Sequence, residues 1–81
     1  DDKAKVCADL SEMGRSVMQF RQINGPYTKM MEIAGSNKAL IAMVDDAYDK
    51  PAYSGKKYQQ KAVDEFVNYV AVICFRNYKG K

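Results

Sequence analysis

At 81 residues and 9.2 kDa, with a formal net charge of +3, the chain has room for one small core, which excludes most enzyme architectures. Its 47% hydrophobic and 28% charged residues are a globular rather than a disordered composition, and a mean hydropathy of −0.47 without any long apolar run excludes a membrane span. A pI near 8.9 falls short of the basic stripe of a nucleic-acid binder, and with no histidine the commonest general base and metal ligand are missing.

The spacing predicts one all-α domain over residues 1–81, made of four helical segments. In the first, Val6, Leu10, Met13, Val17 and Phe20 recur at helical period as an apolar seam, flanked by Cys7, Gly14 and Met18. Asn24-Gly25-Pro26 ends it, with Gly25 expected in the left-handed cap. Pro26 suits the first turn of a short second helix through Ala34, with Tyr27, Met30, Met31 and Ala34 on its apolar face. Ser36 is the expected N-cap of a third helix that turns Leu40, Ile41, Val44, Ala47 and Tyr48 inward and stops at Pro51. Lys50 to Gly55 is the longest irregular stretch. The last helix runs from Lys57 to Asn77, with Tyr58, Ala62, Val63, Phe66, Val67, Tyr69, Val70, Ile73 and Cys74 as its apolar set. By propensity Val70 to Ile73 would suit a strand, but the spacing of 62, 66, 69 and 73 favours a helix, one buried on more than one side and therefore central.

Cys7 and Cys74 stand near opposite ends of the chain. Antiparallel pairing of the long first and last helices aligns residues whose numbers sum to about 81. That register sets Cys7 against Cys74, Leu10 against Ala71, and Gly14 against Val67 or Phe66. A disulfide follows, and with it an oxidising compartment, periplasmic or secreted. Closing so long a loop contributes roughly 4 kcal/mol. The alternative is two buried free thiols in a cytosolic helical protein. The start at Asp1-Asp2-Lys3, without initiator Met or apolar leader, looks like a mature chain after signal-peptide removal, an appearance that a trimmed chain would share. The expected architecture is a compact bundle, its two shorter helices laid over the long disulfide-joined hairpin.

Nothing in the chain assembles a catalytic constellation. Ser11, Ser16, Ser36 and Ser54 have no histidine to activate them and read as helix-surface or capping residues. The pairs Asp45-Asp46 and Asp64-Glu65 diverge by about 100° on a helix, so neither converges on one substrate. Asp45 and Asp49 could share a weak cation, but without calcium-loop spacing they read as a solvated face. The expectation is therefore a non-enzyme with no cofactor and no metal.

Charge placement is more informative. Asp45, Asp46 and Asp49 cluster at the end of the third helix, while Lys56, Lys57 and Lys61 cluster at the start of the fourth, both against the helix dipole. Either the two clusters compensate across the intervening loop, or this end presents a charged, tyrosine-rich surface to a partner. The second reading assigns partner binding to Lys50, Tyr53, Lys56, Lys57, Tyr58 and Lys61. The methionines Met13, Met18, Met30 and Met31 of the first two helices offer a rival face, either core filler or groove.

Cys7, Arg21-Gln22 with Gly25, Ala47-Tyr48 with Pro51 and Tyr53, Phe66 and Cys74 form a spaced pattern. It resembles small exported helical proteins of bacterial and prophage genomes. More loosely, the early Cys and the late segment Asn68-Tyr69-Val70-Ala71-Val72-Ile73-Cys74 resemble the spackle family of T-even phages, whose middle region has no counterpart here. That resemblance implies a periplasmic inhibitor of a lysozyme, or a superinfection-exclusion factor, and transfers no contact residues. The expected function is thus an exported protein-binding module with an acidic partner. The alternatives are a helical homodimer or structural subunit, and a weak apolar-ligand carrier, each using the methionine-rich face.

Overall fold

The structure is a computed structural model in which residues 2–78 are described; Asp1, the first residue of the domain expected over 1–81, lies outside them, as do residues 79–81. Four helices follow in chain order: α1 (Asp2–Gln22), α2 (Tyr27–Ala34), α3 (Lys38–Tyr48) and α4 (Lys56–Asn77). No strand occurs among the described residues, and Val70 to Ile73 lie inside α4. The all-α reading holds.

Cys7 and Cys74 form a disulfide across 67 residues, with their Cα atoms 5.6 Å apart. This staple and the packing agree on an antiparallel α1–α4 pair. A Cβ on Gly14 would lie 3.0 Å from Val70 and 3.5 Å from Phe66, so the missing side chain is what lets the two helices close together. Phe66 is the neighbour that the register predicted, whereas Val70 takes the place expected for Val67.

The buried face of α1 differs from the expected seam. Cys7, Ser11, Gly14, Val17, Met18 and Gln22 are buried, whereas Val6 and Met13 are 43% and 46% exposed. Close approach to α4 selects the small residues at 7, 11 and 14, and that rotates the more hydrophobic Val6 and Met13 outward. Ser11 is therefore not a surface serine: its hydroxyl is buried and donates to the Ala8 carbonyl at 2.9 Å.

Two caps also differ. Asn24, not Gly25, takes the left-handed conformation (φ 63°) after α1. Backbone bonds from Gly25 to Phe20 and from Asn24 to Arg21 complete a Schellman motif. Asn37, not Ser36, caps α3, its side chain accepting from the Leu40 N–H at 3.1 Å.

Helix α1 packs against both α4 and α3, and α2 rests on α3, so α1 rather than α4 is the central helix. A shared core joins Val17 and Met18, Ala34, Met43, Val44 and Ala47, and Val63, Phe66 and Val70. Helix α4 buries one face, Val63, Phe66, Val70 and Cys74, and leaves Tyr58, Tyr69 and Ile73 exposed.

Candidate functional site

The connection between α3 and α4, the longest irregular stretch in the sequence, is strapped down by side chains of both long helices. Gln22, at 2% exposure, sits at the C-terminal end of the buried α1 seam. Its Nε2 donates to the Pro51 carbonyl at 2.8 Å, and its Oε1 accepts from the Tyr53 N–H at 2.9 Å. Arg21 Nε donates to the Lys50 carbonyl at 2.9 Å, and Gln59 Nε2 donates to the Tyr53 carbonyl at 2.7 Å. The loop backbone thus meets side chains of both long helices, which satisfies polar groups that a surface loop would otherwise give to water.

Tyrosines brace the same end. Tyr48 donates its hydroxyl to the Gly25 carbonyl, and the Arg21 guanidinium lies 5.1 Å from the Tyr48 ring centre. Burial pushes the Tyr48 phenol above the ordinary tyrosine value, against the opposing pull of the Arg21 cation. Tyr27 packs edge-on to Tyr48 with ring centres 5.4 Å apart and donates to Asp45 Oδ1 at 2.6 Å. That hydrogen bond, reinforced by desolvation and by the carboxylate charge, raises the Tyr27 pKa as well. Arg21, Gln22, Gly25, Tyr48, Pro51 and Tyr53, spread along the sequence, are therefore one contact network.

The pinned loop forms one wall of a groove of about 500 Å³, and α4 forms the other. Met18 and Phe66 line it from the core, Pro51 and Tyr53 from the loop, and Tyr58 and Tyr69 from α4. Lys50, Lys61 and Glu65 supply its charge. The Tyr53 and Tyr58 rings lie 6.2 Å apart at 42% and 59% exposure, and the Lys50 ammonium lies 5.8 Å from the Tyr69 ring centre. A second, apolar groove of about 320 Å³ runs between α3 and α4, and Tyr69 lines both.

Of the six residues assigned to partner binding, Lys50, Tyr53, Tyr58 and Lys61 come together in the first groove. Lys56 does not; it faces a separate shallow groove with Gln19 and Gln59, and Lys57 is exposed and lines none of the three. Of the two alternatives for the charge clusters, direct pairing gains no contact: no ion pair joins Asp45, Asp46 or Asp49 to Lys56, Lys57 or Lys61 among the described residues. No third His, Cys, Asp or Glu clusters with Asp45 and Asp49 among the described residues, and Asp45 instead accepts the Tyr27 hydroxyl. The methionines do not form one face: Met18 is buried and reaches the floor of the first groove, Met30 and Met31 pack against the core, and Met13 stands apart at 46% exposure.

Gln22, Phe66 and Tyr69 escaped the sequence reading of the site. Gln22 did leave one signal, a polar residue four positions after Met18 on a stripe that small residues mark as buried. No protein family, no curated protein and no solved structure matches the chain. None of the described helices is long and apolar enough to cross a membrane.

Proposed function

We propose that the chain is an exported, periplasmic or secreted, protein-binding module that inhibits a cell-wall lytic enzyme of the kind its spackle-like spacing suggests. The disulfide supports the compartment, because such bonds persist where the surroundings oxidise. One observation carries the binding reading: exposed Tyr53 and Tyr58 stand over an apolar groove whose loop wall is already immobilised and whose rim holds Lys50 and Lys61. A preordered wall lowers the entropy lost on association, tyrosines supply anchoring area, and the lysines favour an acidic partner.

The test is titration of the protein into peptidoglycan hydrolysis by a panel of phage and bacterial muramidases. Stoichiometric inhibition of one of them, weakened at least tenfold by Tyr58→Ala and by Lys61→Glu, is expected. No inhibition of any muramidase overturns the inhibitor reading, and inhibition untouched by both substitutions overturns the site.

A further inference from the structure

The chain holds six tyrosines and no tryptophan, and both of its cysteines are locked in the disulfide. A one-electron oxidant therefore finds neither an indole nor a thiol in it, and the phenols are left to react. An exposed thioether such as that of Met13 is oxidised to a sulfoxide and forms no carbon–carbon bond. Two pairs of tyrosines meet ring to ring among the described residues. Tyr27 and Tyr48 are the closer pair, with ring centres 5.4 Å apart, but they stand edge-on at 75°. Both of their hydroxyls are also engaged, one by Asp45 and the other by the Gly25 carbonyl. Tyr53 and Tyr58 lie 6.2 Å apart with their planes 42° from parallel, and both rings are exposed. The backbone of Tyr53 is fixed on both sides, its N–H by Gln22 at 2.9 Å and its carbonyl by Gln59 at 2.7 Å. Tyr58 leans back toward it: a Cβ built on Gly55 would lie 3.4 Å from Tyr58 Cδ2.

We propose that Tyr53 and Tyr58 form a site of oxidative coupling, at which a haem peroxidase with hydrogen peroxide joins the two rings into an intramolecular dityrosine. Each phenol gives one electron to the oxidant and one proton to water. The two phenoxyl radicals then join through the ring carbons next to their oxygens. The hydrogens on those carbons pass through solvent to the oxygens, which restores both aromatic rings and both hydroxyls. The chain loses two hydrogens, and one hydrogen peroxide is reduced to two waters. Exposed side chains reorient within picoseconds to nanoseconds, which covers the remaining approach of the rings. The pinned backbone of Tyr53 keeps them together meanwhile, so the coupling is effectively unimolecular and outruns joining between chains in dilute solution. The new bond ties the loop wall to α4 across the mouth of the first groove. Coupling at this pair does not depend on the groove holding a protein.

The test exposes dilute, disulfide-bonded protein to a haem peroxidase and limiting hydrogen peroxide, with free tyrosine in a parallel reaction to confirm that the oxidant works. Monomer is separated from covalent dimer by size and assayed for biphenol fluorescence. It is then digested with trypsin, which cuts at Lys56 and Lys57 and so places Tyr53 and Tyr58 in different peptides. The expected product is a monomer two hydrogens lighter than the parent in which those two peptides are joined. Its yield should fall at least tenfold in Tyr53→Phe and, separately, in Tyr58→Phe. Both variants keep the ring, so far-UV circular dichroism should match the parent and a folding defect would be seen there. Biphenol confined to covalent dimers, a bond mapped to Tyr27 and Tyr48 or to any other pair, or a yield undiminished in both variants would overturn the site. So would the absence of biphenol where free tyrosine couples.

Discussion

Gln22 holds Pro51 from 29 residues away: its buried amide donates to the Pro51 carbonyl at 2.8 Å while its oxygen receives the Tyr53 N–H at 2.9 Å. One side chain at the end of α1 thereby sets the loop wall of the groove. Gln22→Leu keeps the volume and removes both bonds, leaving a carbonyl and an N–H unpaired in a partly buried place. A loss of about 1–3 kcal/mol is expected in denaturant unfolding. Hydrogen exchange should speed up at Tyr53 before it does so in the helices, and unchanged exchange there would remove Gln22 from the groove's construction.

Tyr27 and Tyr48 give the fold an alkaline limit. Both phenols titrate above the ordinary value of 10.0, Tyr27 chiefly through its hydrogen bond to Asp45 and Tyr48 chiefly through burial. The folded state therefore holds these protons more tightly than the unfolded chain does. Their contribution is fully present below pH about 10 and is lost as pH rises through the raised folded values. Melting temperature should fall more steeply above pH 10 in the parent than in a Tyr27→Phe, Tyr48→Phe double variant; parallel curves would contradict this.

Gly25 and Gly14 should respond differently to alanine. A Cβ on Gly25 would clash with the edge of the Phe20 ring, so Gly25→Ala must displace that ring, at a cost of about 1–2 kcal/mol. At Gly14 the tight contact to Val70 is opposed by about 1 kcal/mol of helix propensity, and the net change should be smaller. Paired melts of the two variants decide it, and a larger loss at Gly14 would mean that the helix crossing, not the Schellman turn, is the tighter fit.

How far the sequence reached is visible at α1. Its helical period, its end near Asn24 and its register against α4 all followed from spacing and from the two cysteines. The face did not, because ranking positions by hydrophobicity favours Val6 and Met13, whereas close packing favours Cys7, Ser11 and Gly14. At the site, Tyr53, Tyr58, Lys50 and Lys61 were legible as a cluster of exposed residue types near one loop. The strap was not, since Gln22 binds backbone groups, which carry no sequence signature, at separations of 29 and 31 residues. Lys56 was grouped with Lys61 by proximity in sequence, but helical rotation parts the two, whereas Lys57, one turn from Lys61, is exposed and lines none of the three grooves.

The Cys7–Cys74 bridge ties the N-terminal half of α1 to the C-terminal half of α4, and both sulfurs belong to buried residues. Intact mass should be lower than that of the reduced chain by the hydrogens of the two thiols. Replacing both cysteines with serine should cost about 4 kcal/mol and leave far-UV circular dichroism helical if the domain still folds. Thiols that titrate in the unfolded, unreduced protein would contradict the bridge and with it the oxidising compartment.

The central claim is that the groove beneath Tyr53 and Tyr58 holds a protein partner. Its most direct test is photocrosslinking from a benzoylphenylalanine placed at Tyr58, in the periplasm of a Gram-negative host that carries the partner, with the same probe at Ile33 (66% exposed, on α2) as the control. The account predicts one discrete adduct from position 58, diminished by Lys61→Glu and absent from position 33. Adducts of equal yield from both positions, or an adduct at 58 indifferent to Lys61→Glu, would contradict it.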